Sequence, residues 1–117
     1  MKKTRDLNAI PFLVPLLQEE VEAEGKHTLQ QFLKWYRRNI AEPFCHTWLD
    51  HENEKFVIAL ISEDLNGNYL NLLYSKGDVL DEIVDFAQKQ GIKTIKKISK
   101  TQDEKFELDG YVLIKEV

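Results

Sequence analysis

Apolar residues recur first at helical and then at strand spacing, and the change comes about a third of the way along the chain. Leu13, Leu16, Leu17 and Val21 lie three and four apart, which predicts a helix over residues 12–24. Asp6 or Asn8 can cap it, Pro11 suits its first turn, Pro15 kinks it or delays its start, and Gly25 closes it. Leu29, Phe32, Leu33, Tyr36 and Ile40 repeat the pattern and predict a second helix, starting at His27 or Thr28 and ending at Ile40. Pro43 blocks its continuation. Residues 44–50 then alternate, with Phe44, His46, Trp48 and Asp50 on one face and Cys45, Thr47 and Leu49 on the other.

A polar turn at 51–54 leads to residues 55–63, whose unbroken run Phe56 to Ile61 predicts a strand buried on both faces. Asn66-Gly67 signals a hairpin, and residues 69–74 form the next strand. Ser75, Lys76 and Gly77 join it to an amphipathic helix over 78–90, with Asp78 as the expected cap, Asp81 and Glu82 in its first turn, and Gly91 at its end. Residues 92–99 read as a strand with lysines on one face, 101–108 as a short helix, Asp109-Gly110 as a turn and 111–115 as a last strand. The expected fold is α/β: a mixed, mainly antiparallel sheet of about five strands flanked by helices.

Length and composition narrow the class. A chain of 117 residues with no repeat and no linker-like stretch is expected to form a single domain over 1–117. Its net charge of −4 argues against sequence-independent nucleic-acid binding, despite the basic and aromatic run Lys34-Trp35-Tyr36-Arg37-Arg38 and the lysines at 93, 96, 97 and 100. The single cysteine, Cys45, allows no disulfide within the chain, so a cytoplasmic location is expected. The basic start and the apolar run 9–17 superficially suggest a signal peptide. Pro11 and Pro15 interrupt that run, and Glu19, Glu20, Glu22 and Glu24 follow it. No stretch is long enough to span a membrane.

Candidate chemistry gathers at two places. The strand–joint–helix–strand order of 68–95 is a βαβ-like unit, and such units often hold phosphates where strand meets helix, here at Tyr74, Ser75, Lys76 and Gly77. Cys45, His46, Asp50, His51 and Glu52 invite a metal reading, but strand geometry turns Cys45 away from His46 and does not gather a tetrahedral site, so no metal is expected. Nothing marks Cys45 as an activated nucleophile. Trp35 falls off the main apolar stripe of its helix, which suits packing against the sheet or anchoring a partner chain, a homo-oligomer included.

The element order resembles that of the GNAT family, the Gcn5-related N-acetyltransferases. The residues that carry the resemblance are Asp85-Phe86-Ala87-Gln88-Lys89-Gln90-Gly91-Ile92-Lys93-Thr94-Ile95, similar to the family's central helix and following strand, and Phe106-Glu107-Leu108-Asp109-Gly110-Tyr111, similar to its late short helix and Gly-aromatic pair. The resemblance implies an acetyltransferase that uses acetyl-CoA to acetylate an amine. It implies pantetheine against strand 69–74 and phosphates near Ser75 to Gly77. It implies a carboxylate base, with Glu63 and Asp64 near a strand end, and a tyrosine acid, for which Tyr111 does not match the usual position. The chain departs from the family at the phosphate loop. In place of Arg/Gln-x-x-Gly-x-Gly/Ala it has Tyr74-Ser75-Lys76-Gly77-Asp78, shorter, without paired glycines, and with a carboxylate at the helix start. That departure opens the alternative of a non-catalytic binding or assembly module that kept the scaffold and lost the cofactor.

Overall fold

A computed structural model describes residues 1–98 and the strand backbones of 107–109 and 112–116. A short edge strand, β1 (Lys2–Thr4), and a 3-10 turn (Leu7–Ala9) precede helices α1 (Ile10–Glu24) and α2 (Leu29–Asn39). Strands β2 (Cys45–Asp50), β3 (Lys55–Asp64) and β4 (Gly67–Lys76) follow, then helix α3 (Leu80–Lys89) and strands β5 (Thr94–Ile98), β6 (Glu107–Asp109) and β7 (Val112–Glu116).

Local chemistry explains the helix ends. Asp6 accepts from the Asn8 N–H and caps the 3-10 turn, so α1 itself begins earlier than expected, at Ile10 with Pro11 in its first turn. Pro15 sits inside α1, where it forgoes one backbone bond without ending the helix. Gly25 closes α1 in the left-handed conformation, at φ 65°. Thr28 caps α2 through a reciprocal box: its hydroxyl accepts from Gln31 N at 3.1 Å, and Gln31 Oε1 accepts from Thr28 N at 2.8 Å. At α3 the expected cap is wrong. The helix starts at Leu80, and Val79 precedes it without any side-chain cap, so Asp78 lies outside. Its far end is as expected: Gly91 is left-handed at φ 70°, and Ile92 N bonds back to the Ala87 carbonyl at 2.8 Å.

The strands form one seven-stranded sheet in the order β1-β2-β3-β4-β5-β7-β6. All neighbours are antiparallel except β4 and β5, which the α3 crossover makes parallel. Its five longer strands are those expected, and the three-residue strands β1 and β6 extend the two edges. The expected short helix over 101–108 is contradicted at its end, because Glu107 and Leu108 pair with β7. Its residues 101–106 lie outside the described residues, as do Gly110 and Tyr111.

Two apolar layers hold the sheet. On one face α1 and α2 bury Leu13, Leu17, Val21, Tyr36 and Ile40 against Cys45, Phe56, Ile58 and Tyr74. On the other, Val79, Ile83 and Ala87 of the α3 segment cover Trp48, Val57, Ala59, Leu70 and Leu72. Both faces are therefore covered, as the unbroken apolar run of β3 requires. Among the described residues no helix is long and apolar enough to cross a membrane.

Candidate functional site

The C-terminal end of β4 is where the sheet loses its regularity. Ile58 pairs with Tyr74 but Ala59 pairs with Leu72, so Leu73 is an extra residue, a β-bulge. Pairing with β5 covers only Leu70 to Leu72 among the described residues. Bulges re-aim side chains, and here the slip turns both Leu73 and Tyr74 toward the α1/α2 face.

Above the bulge the start of α2 makes a cavity of about 300 Å³, lined by His27, Gln31, Phe32, Trp35 and Leu73. Its rings interlock. His27 stacks on Phe32 with centroids 5.6 Å apart, and Phe32 meets Tyr74 edge-on at 5.0 Å and Trp35 at 5.8 Å. At its base the Tyr74 hydroxyl and His27 Nε2 are 2.8 Å apart, which couples an imidazole to a phenol. Burial, and then the Glu24 carboxylate, push the Tyr74 phenol above its ordinary range, so it stays protonated at neutral pH.

The four candidate phosphate-binding residues do not form one loop. Ser75 and Lys76 belong to β4, paired with Val57 and Phe56, and Gly77 with Asp78 makes the turn. Tyr74 points into the core. The Lys76 ammonium is held by Glu19 Oε2 at 2.9 Å, and that bond raises its pKa, with Glu54 and Glu20 adding to the effect. Its charge is thus compensated by carboxylates. Gly77 has φ 87°, and a Cβ there would stand 2.7 Å from Lys55 Cγ. Gly77→Ala is therefore expected to lower the urea midpoint by the equivalent of about 1–2 kcal/mol, the cost of a left-handed non-glycine residue. Adding Lys55→Ala should recover only the part due to the clash.

Other sequence candidates fall elsewhere. Glu63 and Asp64 pair with Asn68 and Gly67, at the opposite end of β4 from the bulge, about 20 Å away at strand rise. Asp64 is held ionised by Lys96 at 2.7 Å and by the Asn66 N–H at 2.8 Å, which lower its pKa. Neither carboxylate can serve a reaction at the β4 bulge. Burial pushes the Cys45 thiol up to about 11, which leaves it protonated and inert. Cys45 lies in the α1/α2 layer, whereas His46 stacks on Trp48 and packs at a tilt against Phe86 on the α3 side, so the strand puts the two on opposite faces. Among the described residues no group of three or more His, Cys, Asp or Glu is placed to hold a metal ion. Lys34, Arg37 and Arg38 are exposed, whereas Trp35 is half-buried against the core and lines the cavity.

A larger depression of about 680 Å³ lies beside β1, lined by residues that include Lys2, Lys3, Asp6, Asp50 and Glu52. Its lining residues include no hydrogen-bonded side-chain pair like Tyr74 and His27, so size does not make it the better site. Sequence reasoning missed His27, the Leu73 bulge and Phe32 as a cavity wall. The doublet Leu72-Leu73, which breaks the alternation of β4, was the available signal for the bulge.

Comparison of the chain with family models, with curated proteins and with solved structures returns no match.

Proposed function

We propose that this chain is a divergent acyltransferase-fold protein that transfers an acetyl group from acetyl-CoA to an amine, at the bulged end of β4. One observation carries the reading: β4 bulges at Leu73, just past the last residue paired with β5 among the described residues, and runs on through Gly77 into α3, whose N-cap residue Val79 makes no side-chain cap bond. Strand backbone at such a place can hydrogen-bond the amides of a pantetheine arm, and the N–H groups at the start of α3 can face its phosphates. In the reaction the amine nitrogen attacks the thioester carbonyl, the C–N bond forms, the C–S bond breaks, the nitrogen gives up a proton, and the departing thiolate takes one up to leave as the free thiol.

A second reading has its own support. Glu19 already pairs with the Lys76 ammonium, Glu20 and Glu54 act on the same charge, and Asp78 stands at the turn, so Lys76 is a poor anchor for a diphosphate. On that reading the chain is a non-catalytic binding module on the same scaffold.

Thermal unfolding with acetyl-CoA separates the two. Occupancy at a hundred times the dissociation constant stabilises by about 2.7 kcal/mol. A rise in melting temperature that saturates with acetyl-CoA is the expected result. No shift at about 1 mM ligand, the top of the usual range of substrate KM values, overturns acyl transfer and selects the module.

A further inference from the structure

We propose that the cavity between α2 and the β4 bulge is a binding site for a small aromatic molecule, of one ring or two fused rings, with a polar group directed at His27. This stands whether or not the chain transfers acyl groups.

The walls set the chemistry. Phe32 and Trp35 tilt 40° from one another, and His27 stacks on Phe32 at 11°. A guest ring would therefore meet aromatic surfaces set at an angle to one another, which suits a π-system better than a flexible chain. Leu73 supplies an apolar floor, and it does so because the bulge turns it to this side. Trp35 is only half-buried although its neighbours Phe32, Leu33 and Tyr36 are buried, so the uncovered indole surface belongs to the cavity. The size is of the right order. A space of about 300 Å³ corresponds to roughly ten water-sized volumes, close to the bulk of an indole or a substituted phenol.

The polar end is set by one residue. His27 lines the cavity, and its Nε2 is fixed by the Tyr74 hydroxyl at 2.8 Å. Its ring is further held by stacking on Phe32 at 11°. An imidazole pinned in this way puts a polar ring of fixed orientation on the cavity wall, as a small-molecule site requires of its few polar groups.

The test is an NMR titration of the full chain with indole and with p-cresol, against cyclohexanol as an aliphatic control of similar bulk. A fragment of about ten heavy atoms at ordinary efficiency has a dissociation constant of roughly millimolar order, so titration to about 10 mM suffices. The expected result is saturable shifts confined to His27, Phe32, Trp35 and Leu73, with cyclohexanol at least about fivefold weaker. Trp35→Leu should weaken the aromatic probes about tenfold, and Leu73→Trp should fill the space and abolish binding. If either variant fails to fold, the map on the unmodified chain still decides. Absent or scattered shifts overturn the site, and equal binding of cyclohexanol overturns the aromatic class.

Discussion

Replacing Tyr36 by Ala is expected to remove about 4 kcal/mol of stability, the largest effect of any single substitution considered for this chain. The ring is fully buried between α2 and the sheet and stacks on Phe32 at 5.7 Å. Removing it leaves a cavity that fixed neighbours on both elements can only partly close. Its hydroxyl also bonds to that of Thr47 on β2, itself only 1% exposed, a buried polar link between α2 and the sheet. Burial raises the phenol's pKa well above its ordinary value, so the group is a neutral hydrogen-bonding phenol at any working pH. The two parts can be separated. Tyr36→Phe keeps the ring and strands the Thr47 hydroxyl, which should cost about 1–2 kcal/mol. Adding Thr47→Val removes both partners and should return most of that loss, since paired apolar replacement of a buried bond is close to neutral. Urea denaturation of the unmodified chain, Tyr36→Phe, Thr47→Val and the double variant gives the double-mutant cycle. If Tyr36→Ala costs under about 1 kcal/mol, α2 does not depend on this contact and the packing described for that face is wrong.

The parts of the fold that were legible in the chain are those fixed by local rules. Thr28 with Gln31, Gly25 and Gly91 each satisfy a helix end through their own immediate neighbours, so the ends of α2, α1 and α3 could be read from a few residues. The unbroken run Phe56 to Ile61 announced a strand covered on both sides, and β3 is covered by α1/α2 and by α3. What failed was set at a distance. Asp78 has the right chemistry for a cap, but the turn through Gly77 starts α3 two residues later. Lys2–Thr4 carries no strand pattern and becomes one because β2 offers a free edge. The candidate site was the least legible part. The Tyr74–His27 bond joins residues 47 apart in the chain. No local pattern encodes that meeting, which depends on the bulge at Leu73 and on where α2 crosses the sheet. Lys76 suggested phosphate on its own, and only the fold shows that Glu19 already holds it.

Stability is expected to fall as pH drops from about 6.5 towards 4, and His46 is the residue expected to cause most of the fall. Its ring is 5% exposed, lies 4.9 Å from Phe86 and 6.0 Å from Trp48, and leaves both nitrogens without a hydrogen-bond partner of ordinary geometry. Burial is the first cause that brings its pKa down to about 4, and the charges of Lys3 and Arg5 act in the same direction, with the Pro43 backbone only partly opposing them. The Lys3 ammonium lies 4.8 Å from the Phe86 ring centre and 5.6 Å from that of Trp48, so a second cation on His46 would meet like charge in an apolar setting. The sign follows from which state takes up the proton. The unfolded chain protonates this imidazole below its ordinary value of about 6.5, whereas the folded chain resists until about 4. The folded state therefore keeps its full advantage above pH 6.5 and loses it on acidification, by at most about 3 kcal/mol at pH 4. His46→Leu removes the titrating group while keeping a buried apolar side chain. Urea midpoints measured at steps between pH 7.5 and 4.5 should fall for the unmodified chain and stay nearly level for the variant once the contribution common to both is subtracted. Parallel curves would mean that His46 gains its proton in the fold as readily as in the unfolded chain. The first strand would show the cause directly: β1 carries Lys3 and pairs with β2 over only three residues, so amide protection factors at Thr47 to Leu49, referred to the intrinsic exchange rate at each pH, should fall on acidification in the unmodified chain and not in His46→Leu.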